Sequence, residues 1–284
     1  MIKSSRQLKD KIRHLAKGDS ARAQILLRNY MMERFLERVS LSEYRDKLIL
    51  KGGMLVASMV GLDSRSTMDI DATARNMSVG VVEIERMVAR IAAVPLNDGI
   101  ELRVKQAFEI MEGADYPGVR VAMEARFERS VTPLKVDIST GDAIVPGEVE
   151  YEYRLMFEDR SINVRAHSLE TVLAEKMETA LARSIANTRM RDFYDLHILK
   201  SMFGDKIDAT GMRSALLAVT EKRGTAELLG EAFEALGEIR NDTGLRELWE
   251  AFRRKFSYAA DLEWVEVNRS IRELFILALG GDKP

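Results

Sequence analysis

The chain has 284 residues, 46% of them hydrophobic and 31% charged, which is enough for one large domain or two smaller ones. It has no cysteine, so a disulfide scaffold and a thiolate metal site are excluded, and His14, His167 and His197 lack the paired spacing that marks zinc sites in sequence. The net charge of −2 is unevenly spread: residues 1–28 hold eight basic against two acidic side chains, +6, which leaves −8 for the remainder.

Ser4 and Ser5 can cap a first helix that Gly18 ends. On it Lys3, Arg6, Lys9, Arg13 and Lys17 recur at steps of three and four, one face of a helix. Such a stripe is either a solvated face or a phosphate-contacting one. A second helix is expected over Ser20 to Val39, then a short buried strand at Leu48 to Leu50. Gly52-Gly53 turns that strand into a helix, MLVASMV. Met68 to Thr73 reads as a strand and Ser78 to Ala93 as a helix. The segments ELRVKQAFEIM, VRVAMEARFE, LKVDIST and YEYRLMF follow as strands. From Ser168 the pattern is helical: SLETVLAEKMETALARS, RMRDFYDLHILKSMF, and about four more helices to Leu279. The expected class is α+β: an N-terminal domain over residues 1–165 with a mixed sheet and flanking helices, and an α-helical domain over 166–284. The longest apolar run near a terminus, Leu274 to Leu279, is too short to span a bilayer. With no apolar signal core at the N-terminus, the chain reads as cytoplasmic and without a membrane partner.

Asp69 and Asp71 share one face if the T-M-D-I-D-A-T segment is a strand. Asp137 lies between Val136 and Ile138 and leaves its strand on the face of Lys135. If the two strands are neighbours, three carboxylates converge, at a high cost unless cations answer them. Hard oxygen ligands suit Mg²⁺ (or Mn²⁺), and two such ions are a known clamp for phosphoryl displacement. Glycines at a strand-to-helix junction let backbone N–H groups approach a phosphate, which assigns Gly52 and Gly53 to that task.

The order GGM…SRSTMDID (52–54, 64–71), KVDISTGD (135–142), ETVLAEKMET (170–179) and RMRDFYDL (189–196) resembles the AbiEii/AbiGii-type nucleotidyltransferase toxins. These include the MenT toxins and belong to the DNA polymerase β-like superfamily. Met54 is a departure, standing where Ser or Thr is common, so only backbone contact to phosphate is expected there. The resemblance implies transfer of a nucleoside monophosphate from an NTP to an acceptor hydroxyl. That acceptor would be a tRNA 3′ end or a protein, in a type IV toxin–antitoxin system with an AbiEi-like regulator as antitoxin. It implies metal binding by Asp69, Asp71 and Asp137, and nucleotide binding by Gly52, Gly53, Arg65, Ser66, Lys135 and Lys176. It makes Lys176 and Asp192 required alongside the three acids. Two other readings stay open: a catalytically silent nucleotide-binding protein, and an enzyme that modifies a small molecule such as an aminoglycoside. Independently of the family, Asp192 and Asp195 are one helical turn apart and need cations, for which Lys176 and Arg65 are candidates. Alternatively, Lys176 pairs with a neighbouring glutamate. His167 and His197 read as capping or core residues.

Overall fold

The computed structural model describes residues 2–77, 80–111 and 117–281, and the chain divides into two compact units. The first comprises residues 1–62, 66–141 and 149–166; the second comprises 63–65, 142–148 and 167–284.

The first unit opens with α1 (Ser5–Ala16) and α2 (Ser20–Leu41), which pack on each other. Ser4 caps α1 by accepting the Gln7 N–H, and Asp19 caps α2 by accepting those of Ala21 and Arg22. On α1, Leu8, Ile12 and Ala16 are buried, while Lys9, Arg13 and Lys17 are exposed. α2 is buried on nearly every side from Leu26 to Val39, charged residues included. Arg34 is fully buried between Glu37 (2.8 Å) and Glu158 (3.2 Å), and Arg38 forks onto Asp98 at 2.8 and 3.0 Å. These pairs let a helix with a weak amphipathic pattern lie inside the unit.

Next come β1 (Leu48–Lys51), α3 (Gly52–Val60), β2 (Ile70–Ala74), α4 (Val81–Ala92) and β3 (Ile100–Met111). They are followed by β4 (Pro117–Phe127), β5 (Ser130–Thr140), β6 (Val149–Arg154) and β7 (Ser161–Ala166). The strands form one sheet of order β3-β4-β5-β2-β1-β7-β6. β2 runs parallel to β5 and β1 parallel to β7, and the other pairings are antiparallel, so the sheet is mixed as expected. Alternation puts Val119, Val121 and Met123 of β4, Leu134, Val136 and Ile138 of β5, and Ile70, Ala72 and Ala74 of β2 on one buried face. Each large side chain there contributes roughly 1.5–3 kcal/mol on burial. α2 packs against β5 and β7, and α4 against β3 and β4.

Two strand boundaries and one further strand differ from expectation in ways that bear on the site. β2 begins at Ile70, because Thr67 donates its hydroxyl to the Asp69 carbonyl and holds residues 67–69 in a bend before the ladder starts. The strand expected to continue to Phe157 stops at Arg154, where Leu155 N–H bonds the Arg160 carbonyl and closes a turn. That turn leads into β7, a strand not anticipated, which pairs with both β1 and β6. The helix start expected at Ser78 lies outside the described residues.

The second unit contains α5 (Leu169–Arg183), α6 (Met190–Phe203), α7 (Ala209–Lys222), α8 (Ala232–Asn241), α9 (Thr243–Lys255) and α10 (Trp264–Leu279). Ser168, Asp208 and Asp242 cap α5, α7 and α9, and Glu263 with Glu266 forms a capping box on α10. The core is aromatic: Trp249, Phe252, Trp264 and Phe193 pack ring to ring. The Trp249 and Trp264 indoles donate to the carbonyls of Leu262 and Arg240, so their polar edges are satisfied. Among the described residues no helix is long and apolar enough to cross a membrane.

Candidate active site

Across four adjacent strands of the first unit, one register row carries Arg120 on β4, Asp137 on β5, Asp71 on β2 and Lys51 on β1. Register partners share a sheet face, so this row reads plus, minus, minus, plus on the polar side. The strand carrying Asp137 is therefore the neighbour of the strand carrying Asp71, with the two acids directly opposite. Such a pair repels, and the structure answers it from both ends. Arg120 grips Asp137 in a fork, Nε to Oδ1 at 2.7 Å and a terminal N–H to Oδ2 at 2.6 Å. Asp71 Oδ2 accepts the Gly53 N–H at 3.2 Å, at the start of α3, where no side chain of the preceding residue caps the helix.

Gly52 makes this approach possible. Its φ of +63° favours glycine, and a Cβ built there would lie 2.3 Å from Asp71 Oδ2. The glycine pair was expected to present its amides to phosphate; in the structure the Gly53 amide is turned to the Asp71 carboxylate. Asp69 sits in the bend before β2, half-buried, so its direction is set by that bend rather than by strand alternation with Asp71. Lys135 is exposed two residues before Asp137 on the same face, and Ser66 is buried. Arg120 was not anticipated. Its signal, a basic residue inside the apolar alternation of β4, becomes readable only once the β4–β5 register is known.

The second unit holds a separate ionic cluster. Arg65 Nε donates to Asp195 Oδ1 at 2.6 Å and a terminal N–H to Oδ2 at 3.1 Å. Lys176 lies between Asp192 at 2.6 Å and Asp195 at 2.8 Å, and Arg189 meets Asp192 at 2.8 Å. The cations proposed from the i, i+3 spacing are the ones present. Burial opposes the charge on Asp195, yet Arg65 and Lys176 outweigh it and hold its carboxyl below the ordinary range. Burial likewise opposes the charge on Lys176, and Asp192 and Asp195 raise its ammonium above its ordinary value. Neither Arg65 nor Lys176 is placed as an exposed phosphate ligand: Arg65 is buried and Lys176 half-buried, each against carboxylates. Glu178, near Lys176 in sequence, bonds Arg223 and Thr225 instead. His197 bonds Ser270 at 2.9 Å, and His167 is buried just before the α5 cap.

A divalent ion fits the Asp71–Asp137 pair by donor chemistry: two hard carboxylates opposed on neighbouring strands, with Asp69 one residue before β2. Among the described residues, the acidic and histidine side chains whose donor atoms all lie within 4.8 Å of one another are Asp142, His167 and Glu175. Asp69, Asp71 and Asp137 are not drawn together to that degree.

A mixed seven-stranded sheet, an acid pair beside a glycine turn and a helical second unit define a nucleotidyltransferase-type fold. It is similar, with a TM-score of 0.51 at 14% identity over 90% of this chain and 95% of the other, to the crystal structure of a proposed nucleotidyltransferase from H. pylori. JHP933 from Helicobacter pylori aligns with a TM-score of 0.49 at 14% identity, over 90% of this chain and 92% of that one. No curated protein matches the sequence. The chain belongs to the family described as nucleotidyl transferase AbiEii toxin, type IV toxin–antitoxin system, whose pattern it matches over residues 34–275. It is by that membership a nucleotidyltransferase.

Proposed function

We propose that this chain transfers a nucleoside monophosphate from an NTP to an acceptor hydroxyl, that of a tRNA 3′ end or of a protein. It would act as the toxin of a pair whose antitoxin is an AbiEi-like regulator. The observation that carries the reading is the register row that sets Asp71 opposite Asp137 beside the Gly52–Gly53 turn. Asp71 and Asp137, with Asp69, would hold Mg²⁺ or Mn²⁺. A divalent ion there supplies charge neutralisation for the transferring phosphate. Arg120 fixes the direction of Asp137, and Gly52, Gly53, Ser66 and Lys135 would contact the triphosphate. In the reaction the acceptor oxygen bonds to the α-phosphorus, the α–β anhydride bond breaks and pyrophosphate leaves. The hydroxyl proton passes to Asp137. Arg65, Lys176, Asp192 and Asp195 would support the reaction by holding the helical unit in shape.

The test is incubation with each labelled NTP and total tRNA, with and without Mg²⁺. Asp71→Asn and Asp137→Asn should each abolish labelling while circular dichroism stays native. Transfer at the wild-type rate by either variant overturns the assignment. Nucleotide binding without transfer to any acceptor would instead favour a silent binding protein.

A further inference from the structure

We propose that Asp142, His167 and Glu175 form a second metal site, built for a zinc-type divalent ion and using none of the sheet carboxylates. All three belong to the second unit. Their donor atoms, one imidazole nitrogen and two carboxylate oxygens, lie within 4.8 Å of one another. His167 Nδ1 faces Glu175 Oε2 at 3.7 Å. That is beyond an N–H···O hydrogen bond, which runs to about 3.2 Å. It is slightly beyond the roughly 3.3–3.6 Å between two ligands bound at about 2.0–2.2 Å on one four-coordinate ion.

The scaffold is fixed. His167, fully buried, immediately precedes Ser168, whose hydroxyl caps α5 by accepting the Thr171 N–H at 3.2 Å. Glu175 follows on the same helix. Asp142 comes from the 142–148 segment, and Thr171 fastens that segment by donating its hydroxyl to the Val145 carbonyl at 2.8 Å. So one residue, Thr171, ties the loop carrying one ligand to the helix carrying another. Arg223 bonds Glu178 and Thr179 and also lies within electrostatic reach of Glu175 and Asp142, so a bound ion would share their charge with it. The donor set selects the ion. Imidazole with two carboxylates suits Zn²⁺ and also Mn²⁺, whereas Mg²⁺ prefers oxygen and its own waters. Sequence spacing could not reveal the site, because its ligands come from a loop, a strand exit and a helix. A bound ion would stabilise the loop against α5, since binding to the folded arrangement alone is linked to folding.

The experiment uses the full chain carrying Asp71→Asn and Asp137→Asn, so that the proposed catalytic pair contributes nothing. After chelator treatment it is titrated separately with Zn²⁺, Mn²⁺ and Mg²⁺. Bound metal per chain, melting temperature and the visible spectrum with Co²⁺ are read. We expect one Zn²⁺ per chain and a melting rise that Mg²⁺ does not give. Adding Asp142→Asn and Glu175→Gln should weaken Zn²⁺ binding at least 100-fold and remove the rise, with the circular dichroism spectrum unchanged. If that combination does not fold, Asp142→Asn alone makes the same comparison. Zinc uptake undiminished by the added substitutions, or absent from the starting protein, overturns the site and leaves the nucleotidyl-transfer reading untouched.

Discussion

Replacing Asp195 by asparagine keeps the side-chain shape and removes one charge from the centre of the helical unit. Asp195 is fully buried and receives two bonds from Arg65, at 2.6 and 3.1 Å, and one from Lys176 at 2.8 Å. Without it, Arg65 and Lys176 are left in low dielectric with Asp192 as the remaining buried acid of the cluster. Removing one partner of such a pair costs about 3–5 kcal/mol. At roughly 2–4 °C per kcal/mol for a chain of this size, the melting midpoint should fall by some 6–20 °C. Urea denaturation of both proteins across pH checks the electrostatic part. The folded carboxyl is held below its unfolded value of about 3.9, so its stabilisation is present above that pH and is lost as pH falls through the folded value. The gap between wild type and variant should therefore be full at pH 7 and shrink below pH 4. A loss under about 1 kcal/mol, or a gap that stays constant to pH 3, would refute the reasoning.

Gly52→Ala combines a φ of +63° with a Cβ only 2.3 Å from Asp71 Oδ2, so it should cost about 1–3 kcal/mol and shift Asp71; a melting curve matching wild type would contradict this. Burial is the largest influence on Glu33 and pushes its carboxyl up to about 8, against the Met156 amide, Arg34 and Asn29. Folding then favours its neutral form, so stability should fall as pH rises from about 4.3 to 8. Glu33→Gln should remove that fall, and parallel stability curves for the two proteins would exclude it. Reversing Lys9, Arg13 and Lys17 to glutamate should weaken tRNA binding and lower the salt slope by about 0.7–0.9 per lost phosphate contact, with NTP affinity unchanged. Equal RNA affinity across a salt titration would assign that exposed stripe to solvent.

Much of the fold was legible because period and punctuation agreed. Alternation marked β5, the helical pattern from Ser168 marked α5, and the glycine pair marked the β1–α3 turn. What stayed hidden depended on partners distant in sequence. Glu33, Arg34, Glu37 and Arg38 carry the charges of an exposed helix face, but they lie in the interior and pair with Met156, Glu158, Arg160 and Asp98. β7 is short, and its Ile162–Val164–Ala166 alternation is too brief to stand out before the partner strands are known. In the site, the opposition of Asp71 and Asp137 followed from assuming that two strands pair. Arg120 and the bend at Asp69 did not follow, because register and turn geometry decide both. Lys176 and Arg65 were named as partners of the paired acids, but their burial was beyond what spacing can give.

The helical unit is discontinuous in sequence, since residues 63–65 and 142–148 belong to it together with 167–284. A fragment cut at His167 would retain every long helix and still lack the guanidinium that neutralises Asp195. It would also lack the Val145 carbonyl that receives the Thr171 hydroxyl. The back half is therefore not a cassette. Grafting it onto another sheet, or expressing it alone, would leave Asp195 with Lys176 as its one remaining cation of the pair that holds it. A chimera should therefore keep an arginine at 65 wherever it keeps Asp195. Inheritance in this protein is organised by a pair of residues rather than by a boundary.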